Sequence, residues 1–249
     1  MTLIPNMSKR LFQERNVDTP DGSKLTSAYD AALYEEMSKP GRGVLVITVI
    51  CSVDFKNGSG AAATWTAADK TDFMTKLRDT CAVAWSEQHR ITTTSTVPSV
   101  KDVGVTLDVQ VKESMFALSH SHWNVNAAKV TAAQTSDTTG GGVIANGVVN
   151  LDTLDFTPEN KGASMKMTPV VHEFGHMLGH RDEYTAAADN MNWTGDTDAI
   201  MNLGARIRER HYAMFAAWLT KQYKSAAGTT GKAIEWKVNG TTDLFNAKL

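Results

Sequence analysis

The run His172-Glu173-Phe174-Gly175-His176-Met177-Leu178-Gly179-His180-Arg181-Asp182-Glu183-Tyr184 holds the densest chemistry in this chain. Two histidines four apart on a helix lie on one face, one turn apart, so both imidazoles can reach a single cation. The carboxylate of Glu173, beside the first histidine, can reach a water held by that cation and take its proton. This spacing suits metal-assisted hydrolysis, with zinc the expected ion and peptide bonds the first substrate to consider. The context suits a buried helix. Pro169 fits a first helical turn, Val170, Val171, Phe174, Met177 and Leu178 supply apolar faces, and Gly179 stands where a left-handed residue ends a helix. The competing reading, an amphipathic helix with two solvated histidines, leaves the residues downstream unexplained.

A catalytic zinc takes three protein ligands and keeps a fourth position for water. His180, Asp182 and Glu183 compete for the third place. A helix continuing through His180 would set that residue about 12 Å along the axis from His172. Gly179 instead allows the chain to turn back, so that the residues after it approach the ion from another side.

Residues 172–182 read HExxHxxGxxD, which resembles the metzincin clan of zinc peptidases with aspartate replacing the third histidine, as in the snapalysin-type bacterial enzymes. Asp198-Ala199-Ile200-Met201-Asn202 resembles the Met-turn, a methionine-bearing turn beneath the metal. The resemblance implies His172, His176 and Asp182 as ligands of one zinc ion, Glu173 as general base and Met201 as hydrophobic floor. Glu183 is the alternative third ligand, and the reaction survives that exchange. Two departures stand out: aspartate is a harder, anionic ligand, and Asn202-Leu203 replaces the tyrosine that follows the Met-turn in some metzincins. The bland alternatives are a loop acid paired with Arg181, and a core methionine among eleven in the chain.

A wider resemblance covers residues 168–219. HEFGHMLG, DEY, IMN-LG and RxRERHY are similar to zincin-like peptidases associated with bacterial toxins and contractile injection systems. It implies that His211 and Tyr212 face the site and polarise the substrate carbonyl. The alternative is an amphipathic helix with Tyr212, Phe215, Trp218 and Leu219 at core spacing.

The rest of the chain must position these groups. Residues 25–37 read as a short helix, stopped by Pro40-Gly41. Residues 44–55 are apolar on both faces, as in a central strand, and 103–112 alternate as a half-buried strand. Residues 66–87 form a long helix with Thr66 as cap and Phe73, Leu77, Thr80, Cys81, Ala84 and Trp85 as the buried stripe. Strands are expected over 123–131 and 143–151, with a Thr- and Gly-rich turn at 136–142 between them. A helix over 205–223 and a hairpin over 233–245 around Asn239-Gly240 follow. This order suits an α+β, zincin- or metzincin-like fold: a mixed twisted sheet with a backing helix and the active-site helix, above a mainly helical C-terminal part, with a cleft between. One domain spans 1–249, its upper part about 1–180 and its lower part about 181–249. Residues 143–151 are the candidate edge strand for an extended peptide.

Two side features have weaker claims. His120-Ser121-His122 shares a strand face and suggests a second metal, against which an exposed loop is the favoured reading. Asp189, Asn190, Asn192, Asp196 and Asp198 offer calcium-type oxygens without an ordered loop spacing, so a solvated rim is favoured.

A net charge of −2 over 249 residues gives no pull toward nucleic acid or an anionic membrane. No stretch is long and apolar enough for a membrane span, and the start lacks a secretory signal pattern, so export or injection by another route is the alternative to residence inside a cell. Cys51 and Cys81 read as buried and free. The expected function is a zinc endopeptidase acting on a peptide or protein substrate, as a secreted or injected effector. Its rivals are a zinc-binding scaffold without turnover, and a hydrolase of non-peptide amides.

Overall fold

The computed structural model describes residues 8–19, 26–56, 64–114, 120–130, 147–184, 193–228 and 234–238. Within these the chain is α+β, with three α-helices and a mixed sheet of eight strands. The sheet is organised by β3 (Arg42–Lys56), whose side chains are mostly buried on both faces. One edge of β3 pairs in parallel with β5 (Asp102–Glu113), from Arg42 opposite Asp102 to Val53 opposite Glu113. Its other edge is shared. β2 (Tyr29–Glu36) runs antiparallel along its first half, and β6 (Trp123–Ala128) runs parallel along its last residues.

β1 (Ser8–Val17) covers the outer side of β2, and β4 (Arg90–Thr92) and β8 (Lys237–Val238) extend the sheet beyond β5. β7 (Val148–Asp152) pairs in parallel with β6, and among the described residues no strand pairs with its far side. Only the second half of the expected 143–151 strand is described. The 136–142 turn and most of the 233–245 hairpin lie outside the described residues.

The backing helix α1 (Ala67–Trp85) starts where its cap demands. Thr66 Oγ1 accepts the Asp69 N–H at 3.1 Å, and the Asp69 carboxylate accepts the Thr66 N–H at 2.9 Å. Phe73, Leu77, Cys81 and Trp85, four apart, form its buried stripe and join the one main core cluster.

Two expectations fail here. Residues 25–37 do not form a helix, because Tyr29, Ala31 and Leu33 alternate inward and Tyr29–Glu36 pairs on both edges as β2. Ala, Leu and Glu favour helix locally, and two-sided strand pairing overrides that preference. The helix expected over 205–223 starts late. Arg206 is held in a bridge to the 198–200 backbone, Glu209–Tyr212 forms one 3-10 turn, and α3 spans Ala213–Ala227. No described helix is long and apolar enough to cross a membrane.

Candidate metal centre

The motif helix α2 (Pro169–Met177) is short and almost wholly buried. Its first turn is docked by the Val170 N–H donating to the Asp155 carbonyl, in the turn that follows β7, at 3.1 Å. Its flank is fixed by α1: Trp85 Nε1–H donates to the Val171 carbonyl at 3.0 Å. Its underside meets Met201 at Gly175, where a Cβ would lie 2.2 Å from Met201 Sδ. The helix ends as expected, with Gly179 at φ +106°, and a Cβ there would lie 2.5 Å from Thr19. Gly179 thus needs both the left-handed backbone and the missing side chain. The chain turns back and brings Asp182 over the histidine pair.

His172 Nε2 and His176 Nε2 each lie 3.1 Å from Asp182 Oδ1. The other ring nitrogens are fixed: His172 Nδ1 meets the Ile200 carbonyl and His176 Nδ1 the His180 carbonyl, both at 2.7 Å. A carbonyl only accepts, so each Nδ1 must carry a hydrogen and donate it. Each Nε2 then directs either a lone pair or a positive charge at the same carboxylate oxygen. Two rings and one carboxylate converging so closely could hold a metal ion among them. At metal–ligand bonds of about 2.0–2.1 Å, tetrahedral ligands stand about 3.3 Å apart, near the spacing found here. The donor set, two imidazoles and one carboxylate with backbone carbonyls behind the rings, fits a divalent metal of the zinc type.

The electrostatics follow from the same convergence. Burial raises the Asp182 carboxyl, but hydrogen bonds from both histidines outweigh it and hold it well below the usual carboxylate range. Burial lowers the His176 imidazolium, and Asp182 and Glu173 outweigh this, so its pKa is raised. Glu173 is buried beside this pair.

The remaining sequence candidates are turned elsewhere. Glu183, the alternative third ligand, does not face the histidine pair: Arg210 donates to both its oxygens, at 2.7 and 2.6 Å. His180 is half-buried, stacked 5.4 Å from Trp85 at an interplanar angle of 9°. His211 does not face the metal site. Its Nδ1 accepts the Arg208 N–H at 3.0 Å, which leaves Nε2–H to donate to Glu183 at 3.2 Å. Tyr212 is fully buried, donating to the Trp85 carbonyl and accepting from the Gln88 N–H. Both lie in the 3-10 turn that precedes α3, and both are buried. Met201 is fully buried beneath α2, where the resemblance put it.

Tyr184 went unassigned in the sequence. It is 48% exposed, its ring stacks on His172 with centroids 6.3 Å apart, and its hydroxyl hydrogen-bonds Asp182. Burial, then the charges of Asp182 and Glu173, push the phenol up to about 12. Its place in DEY, two residues after the third candidate ligand, was the available signal.

The second histidine cluster has an acidic neighbour in Asp30. Asp30, His120 and His122 bring their ligand atoms within 4.8 Å of one another. The exposed-loop reading fails for His122, whose side chain is fully buried. Its Nδ1 accepts the Ile50 N–H at 2.9 Å, so in the neutral ring Nε2 carries the hydrogen and donates to Asp30 at 3.2 Å. That tautomer leaves His122 no free lone pair for a metal. The histidine fills the gap where β3 passes from β2 to β6, satisfying a backbone N–H between the two pairings.

Of the calcium-type residues, Asp196 pairs with Arg208 and Arg210 and Asp198 accepts from Ser164, while 189, 190 and 192 lie outside the described residues. Cys51 and Cys81 are free and buried, and burial pushes the Cys51 thiol up to about 12. A cavity of about 630 Å³ opens between Met165, Trp193, Asp196 and residues 205–210. Neither the candidate ligands nor Glu173 line it. No protein-family model, curated protein or solved structure matches the chain.

Proposed function

We propose that this chain is a zinc-dependent endopeptidase of metzincin-like fold, with His172, His176 and Asp182 holding the ion and Glu173 as general base. One observation carries the reading. Both histidines donate Nδ1–H to backbone carbonyls and turn Nε2 onto one oxygen of Asp182. This is the tautomer a metal-binding histidine needs, and the Asp30–His122 pair has the opposite one.

Zinc bound there would lower the pKa of a water and polarise a peptide carbonyl. Glu173 takes the proton from the attacking water and passes it to the leaving amine nitrogen, so its buried carboxylate shuttles one proton per turnover. Asp182 partly offsets the charge of the ion, which leaves the water less acidic than in an all-histidine site. We assign Tyr184, half exposed and stacked on His172, to contact the substrate carbonyl oxygen as negative charge develops on it. β7, the last strand of the sheet among the described residues, is our candidate for lying nearest an extended peptide.

A non-catalytic zinc scaffold is less well supported. Structural zinc sites close four positions with protein ligands. Here the two other candidates do not join the pair: His180 stacks on Trp85 and Glu183 is held by Arg210. Retaining a buried carboxylate at Glu173 has no use in a closed site.

The test is cleavage of a diverse peptide library by zinc-loaded wild type beside Glu173→Ala. Cleavage by the wild type alone supports the proposal. Silence of both, with zinc bound in both, counts against turnover on peptides. If the protein acts as an injected effector, intracellular expression harms growth in a Glu173-dependent way, and equal growth of both strains argues otherwise.

A further inference from the structure

Beside the third candidate ligand lies an ion cluster that hydrolysis leaves without a role. Arg210 grips Glu183 through Nε to Oε1 at 2.7 Å and Nη2 to Oε2 at 2.6 Å. The same Nη2 donates to Asp196 at 2.8 Å, and the guanidinium lies 4.4 Å from the centre of the Trp193 ring. Arg208 binds the Asp196 carboxylate at 2.9 and 2.5 Å. His211 adds its Nε2–H to Glu183 at 3.2 Å, and the Glu183 N–H donates to the Met201 carbonyl at 2.7 Å. The cluster therefore joins the residue after Asp182 to both arms of the Met201 turn, at 193–196 and at 208–211.

An exposed ion pair would contribute little. This one is bidentate, and the Arg210 and Glu183 side chains are only 11% and 7% exposed. Parting them would strand a buried charge, so the pair acts as a rigid strut. What it braces is the metal site. Glu183 shares a peptide bond with Asp182, and the turn it is tied to supplies the Ile200 carbonyl that holds His172 Nδ1 at 2.7 Å. One guanidinium thus fixes the first and third candidate ligands against each other.

We propose that Arg210 is a positioning residue for the metal site: through Glu183 it fixes the peptide that carries Asp182 and so sets how tightly the ion is held. The assignment rests on the zinc reading above. It also gives the DEY and RxRERHY stretches one shared purpose, since the acid of the first is clamped by the arginine and histidine of the second. Lysine would not substitute fully, because a point charge on a flexible stem cannot hold both carboxylate oxygens and Asp196 at once.

The experiment compares wild type with Arg210→Met, Arg210→Lys and Glu183→Gln. It reads the zinc dissociation constant by competition with a chromophoric chelator, the visible absorption of the cobalt-substituted proteins, and thermal unfolding of the metal-free proteins. Arg210→Met should weaken zinc binding about 10- to 100-fold, the range that groups behind metal ligands command, and should alter the cobalt spectrum. Arg210→Lys should recover part of both, and Glu183→Gln should fall between.

Unchanged zinc affinity and cobalt spectrum in Arg210→Met, with only its metal-free melting temperature reduced, would overturn the assignment and leave a purely structural strut. Should Arg210→Met not fold, Glu183→Gln, which keeps the shape and removes the charge, decides on the same two readouts. Failure of the wild type itself to bind zinc sinks the zinc reading and this assignment together. Normal wild-type binding with indifferent variants sinks the assignment alone.

Discussion

Gly175→Ala poses two magnitudes against each other. In an ordinary helix the change stabilises by about 1 kcal/mol, because alanine loses less backbone freedom. Here the new methyl would lie 2.2 Å from Met201 Sδ and 2.9 Å from Trp85 Cζ2. Met201 alone could swing aside, but Trp85 is pinned by its bond to the Val171 carbonyl at 3.0 Å. Overpacking of this kind costs about 1–3 kcal/mol. With a clash on two sides we take the upper part of that range, for a net loss of about 1–2 kcal/mol after the helix gain. Urea unfolding of the metal-free proteins measures this as a lower midpoint at unchanged slope. Met201→Ala opens a cavity and by itself costs about 2–5 kcal/mol. In the double variant the methyl partly fills that space, so the two losses should fall short of their sum by about 1–3 kcal/mol. A Gly175→Ala protein as stable as the wild type, or more stable, would refute the close contact between α2 and the Met201 turn.

Other perturbations test other parts of the account. Burial raises the Glu183 carboxyl, but Arg210 and His211 outweigh it and hold it near a pKa of about 2 against an ordinary 4.5. A depressed carboxylate stabilises the fold above its unfolded pKa and loses that as pH falls. Glu183 should therefore contribute about 3 kcal/mol above pH 4.5, fading toward pH 2. Glu183→Gln should flatten that part of the stability–pH curve, and parallel curves would contradict the buried pair. Tyr184→Phe should lower peptide turnover by roughly 10- to 100-fold at saturating zinc, and an unaffected kcat would remove Tyr184 from the reaction. His122→Ala should destabilise by about 1–3 kcal/mol, since the Ile50 N–H loses its acceptor, and should leave zinc stoichiometry unchanged.

The candidate site was most legible where its parts are local. His172, Glu173 and His176 follow from the period of one helix; Gly179 allows the chain to turn back, and the choice of Asp182 over His180 and Glu183 came from the resemblance. The side chains misread were those whose partners are distant in sequence. Glu183 is claimed by Arg210, 27 residues on, and His122 by Asp30, 92 residues back. His211 and Tyr212 take the buried place that the core-spacing alternative gave them, not the one the wider resemblance implied. The same split between local and distant partners holds for the sheet. β3 and β5 announce themselves through apolar patterning, whereas β1 is a polar edge strand and β2 has helix-favouring residues. β2 builds on an edge of β3, and β1 in turn on β2.

The most direct test is a zinc-loaded crystal measured at the zinc absorption edge. The account predicts one strong anomalous peak, about 2.0–2.1 Å from His172 Nε2, His176 Nε2 and an oxygen of Asp182. A peak among Asp30, His120 and His122 instead, or no peak at the α2 site, would contradict it.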